Sequence, residues 1–387
     1  MRFPNLPEPK LIEPDFNGDL SRLKNDYQHR THYLPHSNAP ESALLEQLAY
    51  ERNLLIDDIN DTGKQNLLAF ARDEKLDNLG ALLDTPRLKE SSALVTMRLT
   101  LKRHHGFALP TTFEVRANDH KTFFSVRSTT NVAPGKSSVD IVFECKTPGP
   151  LGNGFAPGDI VDIVTPHDIV EGAVNIDASQ GGSDKERDDD YAYRIWLAPS
   201  RFSTCGPYDA YRYFALEASP AITAVHVDNP APNEVVIYPL LKGGQVPTDP
   251  IKQAILANVN SEKRMPMSDI VSVKAPTHVD GQLTMTIEVY SDYATMSKQI
   301  KDEANIALTK LLARWRDQLG RDIVLGALEA PVQSIQGVYM ATGHVQIGGH
   351  PMSGRKHALN ANEFPKLTLG ALTMTVSQEI SDEAPSQ

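Results

Sequence analysis

The sequence predicts an α+β multidomain chain: N-terminal helices, a small all-β domain, then two mixed α/β units. Three observations predict it. Leu44, Leu45, Leu48, Ala49, Leu55, Ile56 and Ile59 recur at helical spacing. At about residue 93 the period drops to two, as Val95, Met97, Leu99 and Leu101 alternate with Thr96, Arg98 and Thr100. Beyond residue 183 helical and strand patterns alternate. The clearest pair is the alternating run Leu283–Val289 followed by Ile300, Ala304, Ala307, Leu308, Leu311, Leu312 and Trp315.

Taken in order, residues 1–37 are rich in Pro, His and Asn and read as an extended arm, ordered only where it lies on something. The N-terminal helical region spans 38–92. Asn38 is placed to cap its first helix, Pro40 sits in the first turn where a missing N–H is harmless, and Gly63 ends or interrupts it. A second helix is expected over about 65–83, stopped by Thr85-Pro86. The β domain, 93–182, adds runs at Thr112–Ala117, Thr122–Arg127, Ser138–Glu144 and Asp159–Thr165 between Gly- and Pro-rich turns. The middle α/β domain, 183–276, opens on a hinge at Gly181-Gly182 and a helix Lys185–Leu197 capped by Ser183 or Asp184. It continues with helices at 208–218 and 248–260 and strands at Ala221–Asp228, Glu234–Leu240 and 270–275. The C-terminal α/β domain covers 277–376, adding a helix at 326–334 and strands near 337–347 and 369–376, and 377–387 forms a flexible tail.

Composition narrows the function classes. The 387 residues carry 38 Lys and Arg against 49 Asp and Glu, a net charge of −11, which disfavours a nucleic-acid binder. No apolar run approaches the ~18–20 residues of a membrane span, and Met1–Pro7 has no signal-peptide core. Two cysteines, Cys145 and Cys205, make no disulfide framework, so a reducing cytosol is the natural place of synthesis.

Candidate chemistry is sparse. His29, His32 and His36 could share a helix face for a metal, but Pro35 breaks that helix and no complementary ligand follows. They read as a solvated or interface-lying arm, and His104-His105 adds only a pair. Asp188-Asp189-Asp190 invites a divalent cation or an acidic hydrolytic site. Consecutive helical residues splay by ~100°, however, so the run better suits the positive end of a helix dipole. Gly149–Gly154 matches neither phosphate-binding glycine pattern and reads as a turn. Cys205 with His226 would make a nucleophile only if the fold brought them together. No cofactor, metal or catalytic group is expected.

The most distinctive text is Gly181-Gly182-Ser183-Asp184-Lys185-Glu186-Arg187-Asp188-Asp189-Asp190, then Arg194-Ile195, Ala198-Pro199, and Ser203-Thr204-Cys205-Gly206-Pro207 leading to Ala210-Tyr211. With Leu76–Leu82 before Pro86-Arg87, the Gly149–Gly158 loop with Gly152-Asn153, and Arg264–Asp269, it resembles the signature of baseplate J-like proteins over about 40–375. Two places depart from the family pattern: Leu109-Pro110-Thr111-Thr112 where Ile-Pro-x-Gly is usual, and Cys205 where a small residue is usual.

The resemblance implies a structural wedge component of a contractile phage tail or tail-like particle, located in the baseplate and assembled in the bacterial host cytoplasm. It implies a ring around the central hub and spike that holds the extended state until triggering. The implied partners are a second copy in each wedge, a second wedge protein and the sheath-initiating wedge protein. Nucleic acid and membrane insertion are not among them. Partner contacts are expected at Leu44, Leu48, Leu55 and Ile59, and at Leu308, Leu312 and Trp315. The competing readings are a hydrolase with an acidic site near Asp188–Asp190, which needs polar groups converging in one pocket, and a tail-tip receptor-binding protein. A wedge protein should instead leave apolar strips exposed.

Overall fold

The computed structural model describes residues 6–203, 207–260 and 269–379, and its chain divides into two compact units. The fold is α+β and multidomain, with a helical N-terminal region and a near-barrel all-β sheet.

The first unit joins residues 1–87 to 187–199. Its opening is only partly the arm expected from the sequence, because helix α1 (Phe16–Thr31) lies inside it. Asp15 caps that helix by accepting the Gly18 N–H at 2.9 Å, and His32 ends it in the left-handed region at φ 55°. No residue of α1 is buried, which is why no apolar period announces it. Helix α2 (Pro40–Lys64) runs antiparallel to α1, with Arg52 2.8 Å from Asp19 and Lys24 3.9 Å from Glu46. Its cap residue is Ala39 rather than Asn38, and Ser42 closes the entry by donating to the His36 carbonyl at 2.6 Å. The extended residues before α1 are strapped to α2 by Asn60: its Oδ1 accepts the N–H groups of Leu11 and Ile12 at 2.9 Å. The expected 65–83 helix contracts to α3 (Asp73–Ala81), because Arg72 is extended and Asp73 adopts φ 46°, which turns the chain before helix can form. Helix α4 (Asp188–Leu197) completes the unit, so this segment packs with the N-terminal helices rather than in the 183–276 domain. Ala71 and Leu76 meet Tyr191, Ala192 and Ile195 in its core.

The second unit begins with eight strands: β1 (Leu94–Leu101), β2 (Phe107–Leu109), β3 (Glu114–Ala117), β4 (Phe123–Val126), β5 (Thr130–Val132), β6 (Ser138–Cys145), β7 (Ile160–Ile163) and β8 (Val170–Asn175). Six form one sheet in the order β7-β3-β4-β6-β1-β8, while β2 pairs with β5. Alternation sets the register, pairing Met97 with Ile141 and Leu99 with Val139 so that one face stays apolar. Asn175, the last residue of β8, accepts the Gly158 and Ile160 N–H groups and so brings the two sheet ends together. The sequence reading missed β2, β5 and β8: the first two are three-residue strands, too short to show a period.

Next come α5 (Tyr208–Glu217), β9 (Ile222–Ala231), β10 (Glu234–Leu241), α6 (Asp249–Val259) and β11 (Ile270–Val273). Strand β10 pairs antiparallel with β9 and parallel with β11. The C-terminal part holds β12 (Thr277–Val289), α7 (Ser297–Arg316), β13 (Ile323–Val324), α8 (Leu325–Gln333), β14 (Val338–Ile347), β15 (His350–Pro351), β16 (Lys356–His357) and β17 (Glu363–Val376). Its sheet order is β15-β14-β12-β17, with α7 and α8 packed on the apolar face that Leu283, Met285, Ile287 and Val289 present. The expected flexible tail starts pinned, since the Ser377 N–H donates to the Val289 carbonyl at 2.8 Å; residues 380–387 lie outside the described chain.

Candidate assembly interface and the residues that hold it

Helix α2 buries Leu45, Ala49 and Ile56 and leaves a second apolar row in solvent. Leu44, Leu48, Leu55 and Ile59 are 65%, 49%, 58% and 42% exposed. Removing a leucine of this kind from water is worth ~1.5–3 kcal/mol, so such a seam is what an assembling chain would cover.

The C-terminal expectation differs. Leu308, Leu312 and Trp315 are 0%, 6% and 1% exposed and pack with β12, β14 and β17 side chains in the core. Periodicity showed that α7 has an apolar face; the sheet of its own chain covers it. These three side chains are not available to a partner.

The motif residues form two clasps. In the first unit the Arg87 side chain is buried, with Nε 2.7 Å from Asp77 and one terminal nitrogen 2.5 Å from Asp188. Burial pulls its pKa down, and the hydrogen bonds to Asp77 and Asp188 outweigh that and hold it above the ordinary value. Its guanidinium lies 4.6 Å from the Tyr191 ring centre, and the Tyr191 hydroxyl donates to the Thr85 carbonyl at 2.7 Å. Arg194, fully buried, donates to the Pro86 carbonyl at 2.6 Å. Gly80 is required here, because a Cβ would sit 1.9 Å from the Tyr191 hydroxyl oxygen. The roles of Tyr191 and Arg194 escaped the sequence reading. Their signal is a charged residue on the same helix face as Tyr191, Ala192 and Ile195.

The second clasp lies where the sequence suggested a hinge. Gly182 is buried, its N–H donates to Asn153 Oδ1 at 2.8 Å, and its carbonyl accepts from Asn153 Nδ2 at 2.7 Å. A Cβ on Gly182 would lie 2.3 Å from the Gly149 carbonyl oxygen. Ser91 and Ser183 form a bridge beside it, and Glu186 accepts the Leu88 N–H at 2.9 Å. Neither Ser183 nor Asp184 caps α4; the cap residue is Arg187. Ser183 instead accepts from Lys242 Nζ at 2.7 Å. A third link joins Tyr211 to Asp269, the last residue of the Arg264–Asp269 motif; the motif's other residues lie outside the described chain. Burial, then the hydrogen bond to that carboxylate, pushes the Tyr211 hydroxyl far up.

The candidate chemical groups do not converge. Asp188 is bound to Arg87 and to the Asp73 N–H, and Asp190 to Arg187 at 2.9 Å. His29, His32 and His36 are exposed on and beyond the end of α1, while His104 is buried and accepts the Gly106 N–H at 3.0 Å. His226 stacks on Tyr238, and Cys205 lies outside the described residues. Among the described residues no group of three or more His, Cys, Asp or Glu is placed to hold a metal. An open groove of 740 Å³ in the second unit is lined by Arg127, Asp140, Glu217, Gln253 and Asn258. Its charges are taken up, Asp140 by Arg98 at 2.8 Å and Arg127 by Glu144 at 3.7 Å. No described helix is long and apolar enough to cross a membrane.

Three family models match the chain: the baseplate J-like N-terminal domain over 39–93, the baseplate J-like barrel domain over 96–182 and the baseplate J-like central domain over 203–275. Baseplate protein J of Escherichia phage P2 is 29% identical over 159 residues, 40% of this chain. The chain spans about half the length of that relative, 52%. Among solved structures, a chain of the cryo-EM structure of the anti-feeding prophage baseplate aligns over 90% of both chains at 12% identity and a TM-score of 0.35. Three domain models of one family, met over more than half of the residues, identify the chain as a member of the baseplate J-like family.

Proposed function

We propose that the chain is a structural component of the baseplate of a contractile phage tail or tail-like particle, acting as a wedge protein without a catalytic step. The observation that carries this reading is the exposed apolar row Leu44, Leu48, Leu55 and Ile59 on α2, in a family of baseplate proteins. Its partners are a second wedge protein, the chain that initiates the sheath and the hub and spike region, and assembly takes place in the host cytoplasm. The arrangement is mechanical: clasped domains give the wedge a defined shape, and the seam couples it to its neighbours. The test is particle assembly with Leu48→Asp and Leu55→Asp combined. Incorporation should be abolished while circular dichroism and the melting of the β domain stay unchanged. Normal incorporation, or electron microscopy placing the chain away from the baseplate, would overturn the reading.

Pairing of two copies through the C-terminal unit belongs to the same proposal. With Leu308, Leu312 and Trp315 internal, the large apolar side chains left exposed among the described residues of this part are Ile306, Tyr339, Met340 and Val376. Tyr339 and Met340 lie together, since Met340 pairs with Glu288 and the Tyr339 ring meets Tyr290 at 5.3 Å, whereas Val376 pairs with Val289 and belongs to the other face of the sheet. Sedimentation of the full chain should show a dimer that Tyr339→Asp with Met340→Asp dissociates. A monomer at every concentration, together with single copies per wedge in the particle, would remove it.

A further inference from the structure

The seam on α2 is not apolar throughout, and the charges beside it specify its occupant. At ~100° per residue, Leu44, Leu48, Leu55 and Ile59 fall within ~60° of arc. Residues seven apart nearly superimpose on that surface. One row is therefore Leu48 and Leu55, and the row beside it is Leu44, Glu51 and Asp58. Acidity begins inside the seam.

Helix α2 carries Glu41, Glu46, Glu51, Asp57, Asp58 and Asp61 against Arg52 and Lys64. Both cations are engaged within the chain, Arg52 by Asp19 at 2.8 Å and Lys64 by Glu8. Lys24 approaches Glu46 at 3.9 Å, and Arg72 binds Asp61 at 2.9 Å. Glu51 and Asp58 are exposed, and among the described residues neither has a cation in ion-pair reach. The contact Glu51 does make is neutral, accepting from Gln47 Nε2 at 2.8 Å.

A partner with a wholly apolar face would bury two carboxylates without compensation, which is strongly unfavourable. A second copy of α2 packed antiparallel would bring this acid row against itself, and packed parallel would set it against the row Leu45, Arg52 and Ile59, whose one cation is already bound to Asp19. We infer that α2 docks a helix of a different protein chain, whose leucine-rich seam presents Lys or Arg opposite Glu51 and Asp58. The inference rests on the assembly reading above and adds to it the chemistry of the partner. The apolar row supplies affinity, and the carboxylate row selects which helix is accepted and suppresses self-pairing.

The experiment uses the full chain and two synthetic helical peptides with the same leucine seam, one flanked by Lys and the other by Glu. The Lys peptide should bind about tenfold or more tightly than the Glu peptide at low salt, and the gap should narrow at high salt. Glu51→Lys with Asp58→Lys should reverse the preference, and Glu51→Gln with Asp58→Asn should flatten it. Leu48→Asp with Leu55→Asp should abolish both. Equal binding of the two peptides, lost in the Leu48→Asp, Leu55→Asp chain, would overturn charge selection and leave the assembly seam standing. Self-association of the unaltered chain that this double variant abolishes would make a second copy the occupant and overturn the inference. Binding that ignores the leucines, or no binding of either peptide, would overturn it too, and particle incorporation then judges the assembly reading separately.

Discussion

Asn153 holds both backbone polar groups of Gly182, its Oδ1 2.8 Å from the Gly182 nitrogen and its Nδ2 2.7 Å from the Gly182 oxygen. One side chain thus satisfies a donor and an acceptor that are buried 29 residues away. Asn153→Ala should destabilise the second unit by about 2–4 kcal/mol, because two hydrogen bonds vanish and two buried backbone groups lose their partners. Gly182→Ala should be at least as damaging. Denaturant melts followed by near-ultraviolet circular dichroism measure both, and losses below 1 kcal/mol would mean the clasp is ornamental.

Arg87→Lys keeps the charge but loses the fork that reaches Asp77 and Asp188 together and the flat contact with Tyr191. A loss of about 1–3 kcal/mol is expected. Arg187→Lys changes an exposed pair with Asp190 and should cost less than about 0.5 kcal/mol. Thermal melts of the two variants side by side test the ranking.

Leu308→Ala, within the C-terminal core, should cost about 2–5 kcal/mol. Leu48→Ala, on the open row of α2, should cost under about 1 kcal/mol in the isolated chain. Comparable losses at the two positions would mean that the α2 seam is already covered.

His226 titrates below the usual histidine range, through burial first and the nearby Arg212 second, against an opposing pull from Asp228. A depressed histidine binds its proton more readily unfolded, so its contribution is intact above about pH 6.5 and declines as pH falls below that value towards the folded pKa. His226→Gln should flatten the pH dependence of stability below about pH 6.5. Proton chemical shifts of the His226 ring provide the direct check, and a midpoint at or above 6.5 would contradict burial as the dominant influence on this ring.

The elements legible in the sequence are those whose stability is written as a local period. Helices α2 and α7 and strands β1 and β12 each bury a regular set of apolar residues. Helix α1 buries none, and its support is a cap and ion pairs to another helix, which leave no pattern. The exposed row on α2 could be read because a helix with too many leucines needs a second surface. The destination of Leu308, Leu312 and Trp315 could not, because a period reveals an apolar face and not what covers it. The clasps were illegible for a different reason. Arg87 meets Asp188 across 101 residues and Asn153 meets Gly182 across 29, so spacing carries no trace of either pair. The resemblance marked these residues as distinctive without revealing that their work is to join segments far apart in the chain.

Helix α4 packs with α3 although the whole β domain is spelled out between them. During translation the slot that Tyr191 fills beside Gly80 therefore stands empty while about a hundred codons are read, ~5–20 s at ordinary elongation rates. The strands have time to pair before the N-terminal helices can close. Until then Ala71 and Leu76 face water, and the nascent chain offers a chaperone a site that disappears once residue 199 clears the ribosome.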